Sequence, residues 1–284
     1  MSLLRHIERC NHFRAERFRP LTSGGRSIGF VPHDIAGQLG QFPDIFAVAD
    51  DAVRLVAGGG FEAVSAAIDR VAERLMQDGI VARRRNEYFA VAPRWGEPPL
   101  FKIDRGAVPA FGVKAYGVHL NGYCRDCDGT IRLWIGRRAP GKMVEPDKLD
   151  NLVAGGIGYP YGIMDTLVKE AGEEAGMSAA LAAQAVPRGH IAYRMEWDRG
   201  SRDDMLYVYD LETPADFVPH GNDGEIVEFT LMDAREVLAR VRDTDDFKFN
   251  VNLVIIDFAL RHGLITHDDP DYDALIAGLH RQPD

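Results

Sequence analysis

The chain has 284 residues, 46% of them apolar and 27% charged, with a formal net charge of −10. This is the composition of an ordinary soluble globular protein, and its acidity argues against nucleic acid or a membrane surface as the main partner, since phosphate-rich surfaces demand basic patches. Three cysteines do not make a disulfide framework, Met1-Ser2-Leu3-Leu4-Arg5-His6 does not open a signal peptide, and no 18-residue apolar run occurs, so the expected location is cytoplasmic.

In chain order, the first strong pattern is Phe61, Val64, Ile68, Val71 and Leu75, a helical stripe that Gly79 ends. Tyr88-Phe89-Ala90-Val91 reads as a strand, with the apolar pieces at 45–48 and 53–56 as its expected partners, and a Pro-rich break follows at 92–99. Residues 1–110 thus form a small α+β domain without a catalytic constellation; a lid, a substrate-shaping wall, packing or a homodimer contact would each suit it. From 111 to 284 the texture changes. Strands are expected at 113–123 and 131–138 around the Asp128-Gly129 turn, then a helix at 163–175, strands near 205–211 and 225–232, and helices at 233–242, 251–262 and 271–281. Alternation of this kind gives an α/β/α sandwich with a mixed sheet. Cys124-Arg125-Asp126-Cys127 has no second ligand pair nearby and reads as two thiols at a turn.

The helix at 163–175 carries Glu170, Glu173 and Glu174 at i, i+3 and i+4. Taken at 100° per residue, they span roughly −60° to +40° of the wheel, while Met164, Leu167, Val168, Ala171 and Ala175 occupy a separate apolar arc. Three clustered like charges are unfavourable unless a hard cation such as Mg²⁺, or Mn²⁺ in its place, shares their oxygens with a substrate's phosphates; a solvated acidic face is the bland alternative. Asp165 and Lys169 are spaced as an i, i+4 ion pair, and Gly176 suits a C-terminal cap. Upstream, Gly155-Gly156-Ile157-Gly158-Tyr159-Pro160-Tyr161-Gly162 allows close backbone approach to a ligand, with the Gly155 or Gly156 carbonyl completing the metal's coordination. Arg137, Arg138 and Lys142 could clamp a diphosphate. Trp134 could stack on a heterocycle or simply pack. Glu225 could be a turn acid, a further metal ligand or the base that activates water, and His119 reads as a structural histidine.

Residues Gly155 to Met177 resemble the Nudix box, G-x5-E-x7-R-E-U-x-E-E-x-G-U. Gly155, Glu170, Ala171, Glu173, Glu174, Gly176 and Met177 match it; Tyr161 stands at the first glutamate and Lys169 at the arginine, and Gly172 is unusual inside the helix. In the family, that missing Glu–Arg pair braces the loop. A longer resemblance, through Tyr116–Tyr123, Leu133–Arg138, Leu149–Gly156, Asp223–Phe229, Phe247–Asn250 and Asp257–Gly263, is to the Nudix branch fused in fungi to thiamin pyrophosphokinase; Arg85-Asn86-Glu87-Tyr88 resembles the end of that branch's extra N-terminal domain. The resemblance implies a Mg²⁺-dependent diphosphatase acting on thiamin diphosphate or a damaged or analogue form. Glu170, Glu173 and Glu174 with Gly155 would hold the metal, and the same glutamates with Glu225 would serve catalysis. Trp134, Arg137, Arg138, Lys142 and Lys169 would contact substrate, and Lys248 and Asn250 leave room for a further contact. A catalytically silent binding module remains open, as does, less readily, an isoprenoid-diphosphate isomerase.

Overall fold

Two principal sheets divide the chain, which the computed structural model describes over residues 1–281. After α1 (Leu4–Cys10) come β1 (Phe18–Ser23), β2 (Arg26–Pro32), α2 (His33–Leu39), β3 (Phe46–Val48) and β4 (Val53–Leu55). The four strands pair in the order β2-β1-β4-β3, with β1 and β4 parallel. Helix α3 (Phe61–Gln77) buries Val64, Ile68, Val71 and Leu75, the stripe its spacing dictates. β5 (Tyr88–Val91) pairs with β6 (Phe101–Asp104), and α4 (Val108–Phe111) leads into the second sheet. The segments at 45–48 and 53–56 therefore do not partner β5. They pair with each other across a short turn closed by Ala49 N–H to Ala52 O, and β5 takes the strand that returns after the Pro-rich break.

Buried apolar residues from Leu21 to Ala115 share one core. Helix α1, which the sequence groups with residues 1–110, does not join it. Leu3, Ile7 and Cys10 pack instead with the helices at the far end of the chain.

The second sheet starts from β7 (Lys114–Arg125), β8 (Ile131–Arg138), β9 (Leu149–Asp150) and β10 (Val153–Gly156). Beyond α5 (Ile163–Ala175) and the short α6 (Ala179–Ala182) it gains β11 (Val186–Trp197), β12 (Gly200–Glu212) and β13 (Ile226–Asp233). The order is β11-β12-β7-β8-β13, with β10 on β7 and β9 on β8; β12 and β7 are parallel and the rest antiparallel. Alternation on the strands separates two faces. Tyr116, Val118 and Leu120 face Leu167, Ala171 and Ala175 of α5. Tyr123, Leu133, Leu206 and Val208 face α7 (Ala234–Asp243), α8 (Val251–Arg261) and α9 (Tyr272–Leu279). The result is an α/β/α sandwich with a mixed sheet. Cys10, Cys124 and Cys127 are free thiols, and Asp126 to Gly129 form the turn after β7.

Candidate active site

β10 delivers the glycine loop to the start of α5, and the helix begins where Gly162 N–H reaches the Asp165 carboxylate at 3.3 Å. Asp165 thus caps the helix rather than pairing with Lys169. At the other end Gly176 adopts φ +62°, the left-handed cap that glycine favours. Between the ends, burial differs from the simple wheel. Met164 is exposed, while Thr166 is buried on the glutamate side with no partner for its hydroxyl among the described residues. The glutamate face is therefore partly covered: Thr166 and Glu174 are buried, while Glu173 stays exposed.

Glu170 lies directly against the backbone of Gly155: a Cβ there would come within 2.4 Å of Glu170 Cγ. Only glycine leaves space for that carboxylate, which explains the residue at the head of the loop. Glu170 and Glu173 converge on one cation, the Lys169 ammonium, at 3.0 and 2.6 Å. Desolvation lowers the Lys169 pKa, but the hydrogen bonds it donates to Glu173 and Glu170 outweigh it, so the net shift is upward. Burial raises the Glu170 pKa against the pull of Lys169. Glu174 does not join its neighbours. It is 3% exposed, and its Oε2 accepts from Ala154 N–H at 2.8 Å, tying α5 to β10. Burial, reinforced by Asp150, pushes its carboxyl up to about 8.

A second acidic group arrives from the loop before β13. His220 N–H bonds Ala175 O, and Asn222 bonds the carbonyls of Glu173 and Gly172, wrapping the loop onto the end of α5. Asp223 then accepts from Glu225 N–H, and the Glu225 carboxylate ion-pairs with Lys142. Burial raises the Asp223 pKa, opposed by Lys142, with Glu173 and Lys169 also acting on it. Lys142 is held below its usual pKa by burial first and Arg138 second, while Glu174 pulls the other way. Glu225, Lys142 and Lys169 are thus brought to the glutamates, and Asp223 joins them. Asp223 is a residue that sequence reasoning missed; its place two residues before the candidate base was the available signal.

The rest of the basic cluster separates. Neighbours on a strand point to opposite sides, and Arg138 is the inward one: it spends its guanidinium on Asp150 at 2.8 Å and on the carbonyls of Glu145 and Val144. Arg138 is not free to clamp a diphosphate. Arg137 points away, lining a groove of about 390 Å³ with Glu228, Asp233, Glu236 and Arg240 on the β8–β13 side. Its acids already pair with its arginines, Glu228 with Arg137 and Glu236 with Arg240, and the carboxylate helix is the better candidate. Lys248 and Asn250 are interior: Lys248 stands 3.7 Å from Asp150, and Asn250 donates to the Tyr193 hydroxyl. His119 is buried and bonded to Asn151, as a structural histidine should be. Trp134 is half-buried, edge-on to Phe217.

A more open aromatic platform went unread in the sequence. Trp95, from the Pro-rich break, meets Tyr116 at 4.6 Å and Tyr207 at 5.6 Å, with His190 beyond. Tyr116 O accepts from Ile157 N–H, so the platform begins at the glycine loop.

The donor set suits a hard divalent cation. Glu170 and Glu173 are oxygen donors that already share a positive charge beside the Gly155 cradle. Among the described residues no three His, Cys, Asp or Glu side chains gather closely enough to hold an ion together, because Glu174 is turned to Ala154.

An α/β/α sandwich presenting a carboxylate helix at a glycine loop, flanked by lysines, is the arrangement of a phosphoanhydride hydrolase. Two curated relatives agree. The chain is 38% identical over 282 residues to "Nudix hydrolase 24, chloroplastic" of Arabidopsis thaliana, covering 95% of this chain and 75% of that protein. It is 36% identical over 278 residues to "Nudix hydrolase 20, chloroplastic" of the same plant, covering 94% and 74%. The solved structure of DR0079 from Deinococcus radiodurans aligns with 60% of this chain and 97% of its own at 20% identity and a TM-score of 0.43. A sequence family described as "Domain of unknown function (DUF4743)" matches residues 2–115. This chain belongs to the Nudix hydrolase family, enzymes that cleave diphosphate linkages.

Proposed function

We propose that this protein is a Mg²⁺-dependent Nudix diphosphatase, able to use Mn²⁺, that converts thiamin diphosphate, or a damaged or analogue form of it, to the monophosphate. The observation that carries the reading is the convergence of Glu170 and Glu173 on a single positive charge beside Gly155. The thiamin branch rests on the long resemblance from Tyr116 to Gly263, and the Trp95–Tyr116–Tyr207 platform supports a substrate with an aromatic ring. Other nucleoside- or sugar-diphosphate derivatives are the alternative.

When bound, the metal would supply Lewis-acid polarisation of a phosphoryl oxygen and a more acidic water. Glu170 and Glu173, with the Gly155 carbonyl and Glu174 turned outward from Ala154, are the residues that would hold it. Lys169, released from the two carboxylates, and Lys142 would meet charge developing on the transferred oxygens. Glu225, or Asp223 beside it, would take the proton from the attacking water. Trp134 or the Trp95 platform would orient the leaving group by stacking.

The test is product release from a panel of diphosphates in Mg²⁺, wild type against Glu173→Gln. Thiamin diphosphate should be among the best substrates, and the variant should be slower by about a hundredfold or more. Equal rates in both proteins would sink the proposal. A second reading, a diphosphate-binding module without turnover, is favoured by one observation: Lys169 already occupies the space between the two glutamates. It calls for calorimetric binding with no product formed over hours.

A further inference from the structure

The glycine loop has little to hold it from within its own segment. Tyr161 is exposed, Lys169 is committed to Glu170 and Glu173, and the loop is tied locally by Tyr161 N–H to Gly158 O and by Gly162 N–H to the Asp165 carboxylate. Beyond the β7 ladder and the Ile157 N–H bond to Tyr116 O, what presses on it comes from the N-terminal unit. Tyr88 O accepts from Tyr159 N–H at 2.7 Å. The Phe89 ring fills the space a side chain at 156 would need, lying 2.7 Å from the position of a Gly156 Cβ, and the Glu87 carboxylate flanks both Gly156 and Gly158. Farther along, Phe61 meets the Tyr159 ring at 5.2 Å. Lys102 Nζ lies over three rings at once, Phe61, Tyr88 and Tyr159, at 6.0, 5.7 and 5.6 Å, within cation–π range.

These contacts are anchored. Lys102 N–H bonds Ser65 on α3, and its ammonium stands 3.8 Å from Glu62. Arg84 holds the Tyr88 hydroxyl at 2.7 Å and Asp69 of α3 at 2.9 Å. Arg105 pairs with Glu87 at 2.7 Å. A continuous line of packing and hydrogen bonds therefore runs from helix α3 through the β5–β6 hairpin to residues 156–159, the residues that follow the Gly155 cradle.

We infer that the N-terminal unit is a clamp on the glycine loop, and that Phe61, Tyr88, Phe89 and Lys102 are positioning residues that hold Gly155 and Gly156 in the shape that accepts a metal–diphosphate. The clamp itself is a matter of loop order; its consequence for the metal rests on the proposed function. It gives residues 2–115 a role in the reaction without a catalytic group of their own.

The test uses the full chain. Lys102→Met removes the charge over the three rings, Phe61→Leu removes the ring against Tyr159, and Lys102→Arg keeps a cation in place. Hydrogen exchange at the Tyr159 amide should accelerate about tenfold in the first two variants and stay near wild type in Lys102→Arg, with β7 amides unchanged. Binding of Mn²⁺ alone, followed by electron paramagnetic resonance, should weaken about threefold or more in the same two variants at an unchanged melting temperature. Unchanged exchange at Tyr159 in both variants overturns the clamp. Faster exchange with undiminished Mn²⁺ affinity overturns its positioning role. If the wild type takes up no Mn²⁺, the proposed function fails, and exchange alone decides whether the clamp exists.

Discussion

The sandwich holds two concentrations of charge, one on each side of its sheet, and they are built on opposite principles. On the α8 side, Asp210 is 1% exposed and accepts from Arg261, Arg188 and Asn121, with His262 at 3.3 Å; Asp257 shares Arg261. Burial acts to raise the Asp210 pKa, but bonds from His262 and Arg261 outweigh it and hold the carboxyl down at about 2. Between the two, Asp150 is desolvated but kept below the usual range by Lys248 and Arg138. On the α5 side Glu170, Glu174 and Asp223 all move upward, because burial dominates and two lysines face more carboxylates than they can neutralise. A saturated network holds a fold together, whereas an acid-rich cleft short of positive charge is prepared to receive it from outside.

The contrast breaks most visibly at Asp210. Asp210→Ala strands Arg261 and its neighbours in the interior and should cost about 3–5 kcal/mol of unfolding free energy by denaturant titration. On the other side, Glu173→Gln should leave stability within about 0.5 kcal/mol, since it is half-exposed and only one of Lys169's two partners. Comparable losses at both positions would erase the distinction.

Acid titration probes the saturated side from another direction. Burial, with Lys248 next, lowers the His119 pKa to about 4 from its usual 6.5. A depressed histidine favours the folded state while it stays neutral, so its contribution is complete above about pH 6.5 and is lost as the pH falls toward 4. The loss should amount to roughly 2–3 kcal/mol between those limits and should vanish from the pH–stability difference in His119→Gln. A small effect of the opposite sign is expected at Gly172, which sits inside α5 with only Met177 O, at 3.7 Å, near the space of a Cβ. Gly172→Ala should stabilise the protein by up to about 1 kcal/mol in a thermal melt. A loss there would mean that the glutamate helix needs a flexible position.

Helix α5 was legible to its ends because the apolar periodicity, the glycine- and proline-rich loop before it and a terminal glycine agree, and β7, β8 and α7–α9 followed from equally clear patterns. β11 was not, because Pro187, Gly189, His190 and Arg194 interrupt any alternation, and such an edge strand need bury only part of itself. β1 and β2 carry a proline each and no clean alternation, so their pairing had no local signature. At the site, the glutamates were readable from spacing, while Lys142, Lys169 and Glu225 came from a basic cluster, a turn before a strand and the family resemblance. The inward turn of Glu174 was not, since a wheel gives angles and not the position of the neighbouring strand. Arg137 and Arg138 looked like one cluster, but strand geometry sends adjacent side chains apart. Glu87, Phe89 and Trp95 approach the loop from some sixty to seventy positions away, a distance across which sequence pattern carries no information.

The central claim is that the cleft on the α5 side accepts a divalent cation through Glu170 and Glu173. Its most direct test is a Mn²⁺ titration of the wild type, Glu173→Gln and Asp210→Asn, read by electron paramagnetic resonance at neutral pH. One tight class of sites in the wild type, weakened about tenfold or more by Glu173→Gln and retained in folded Asp210→Asn, is the expected result. Mn²⁺ affinity that is the same in wild type and Glu173→Gln would contradict it.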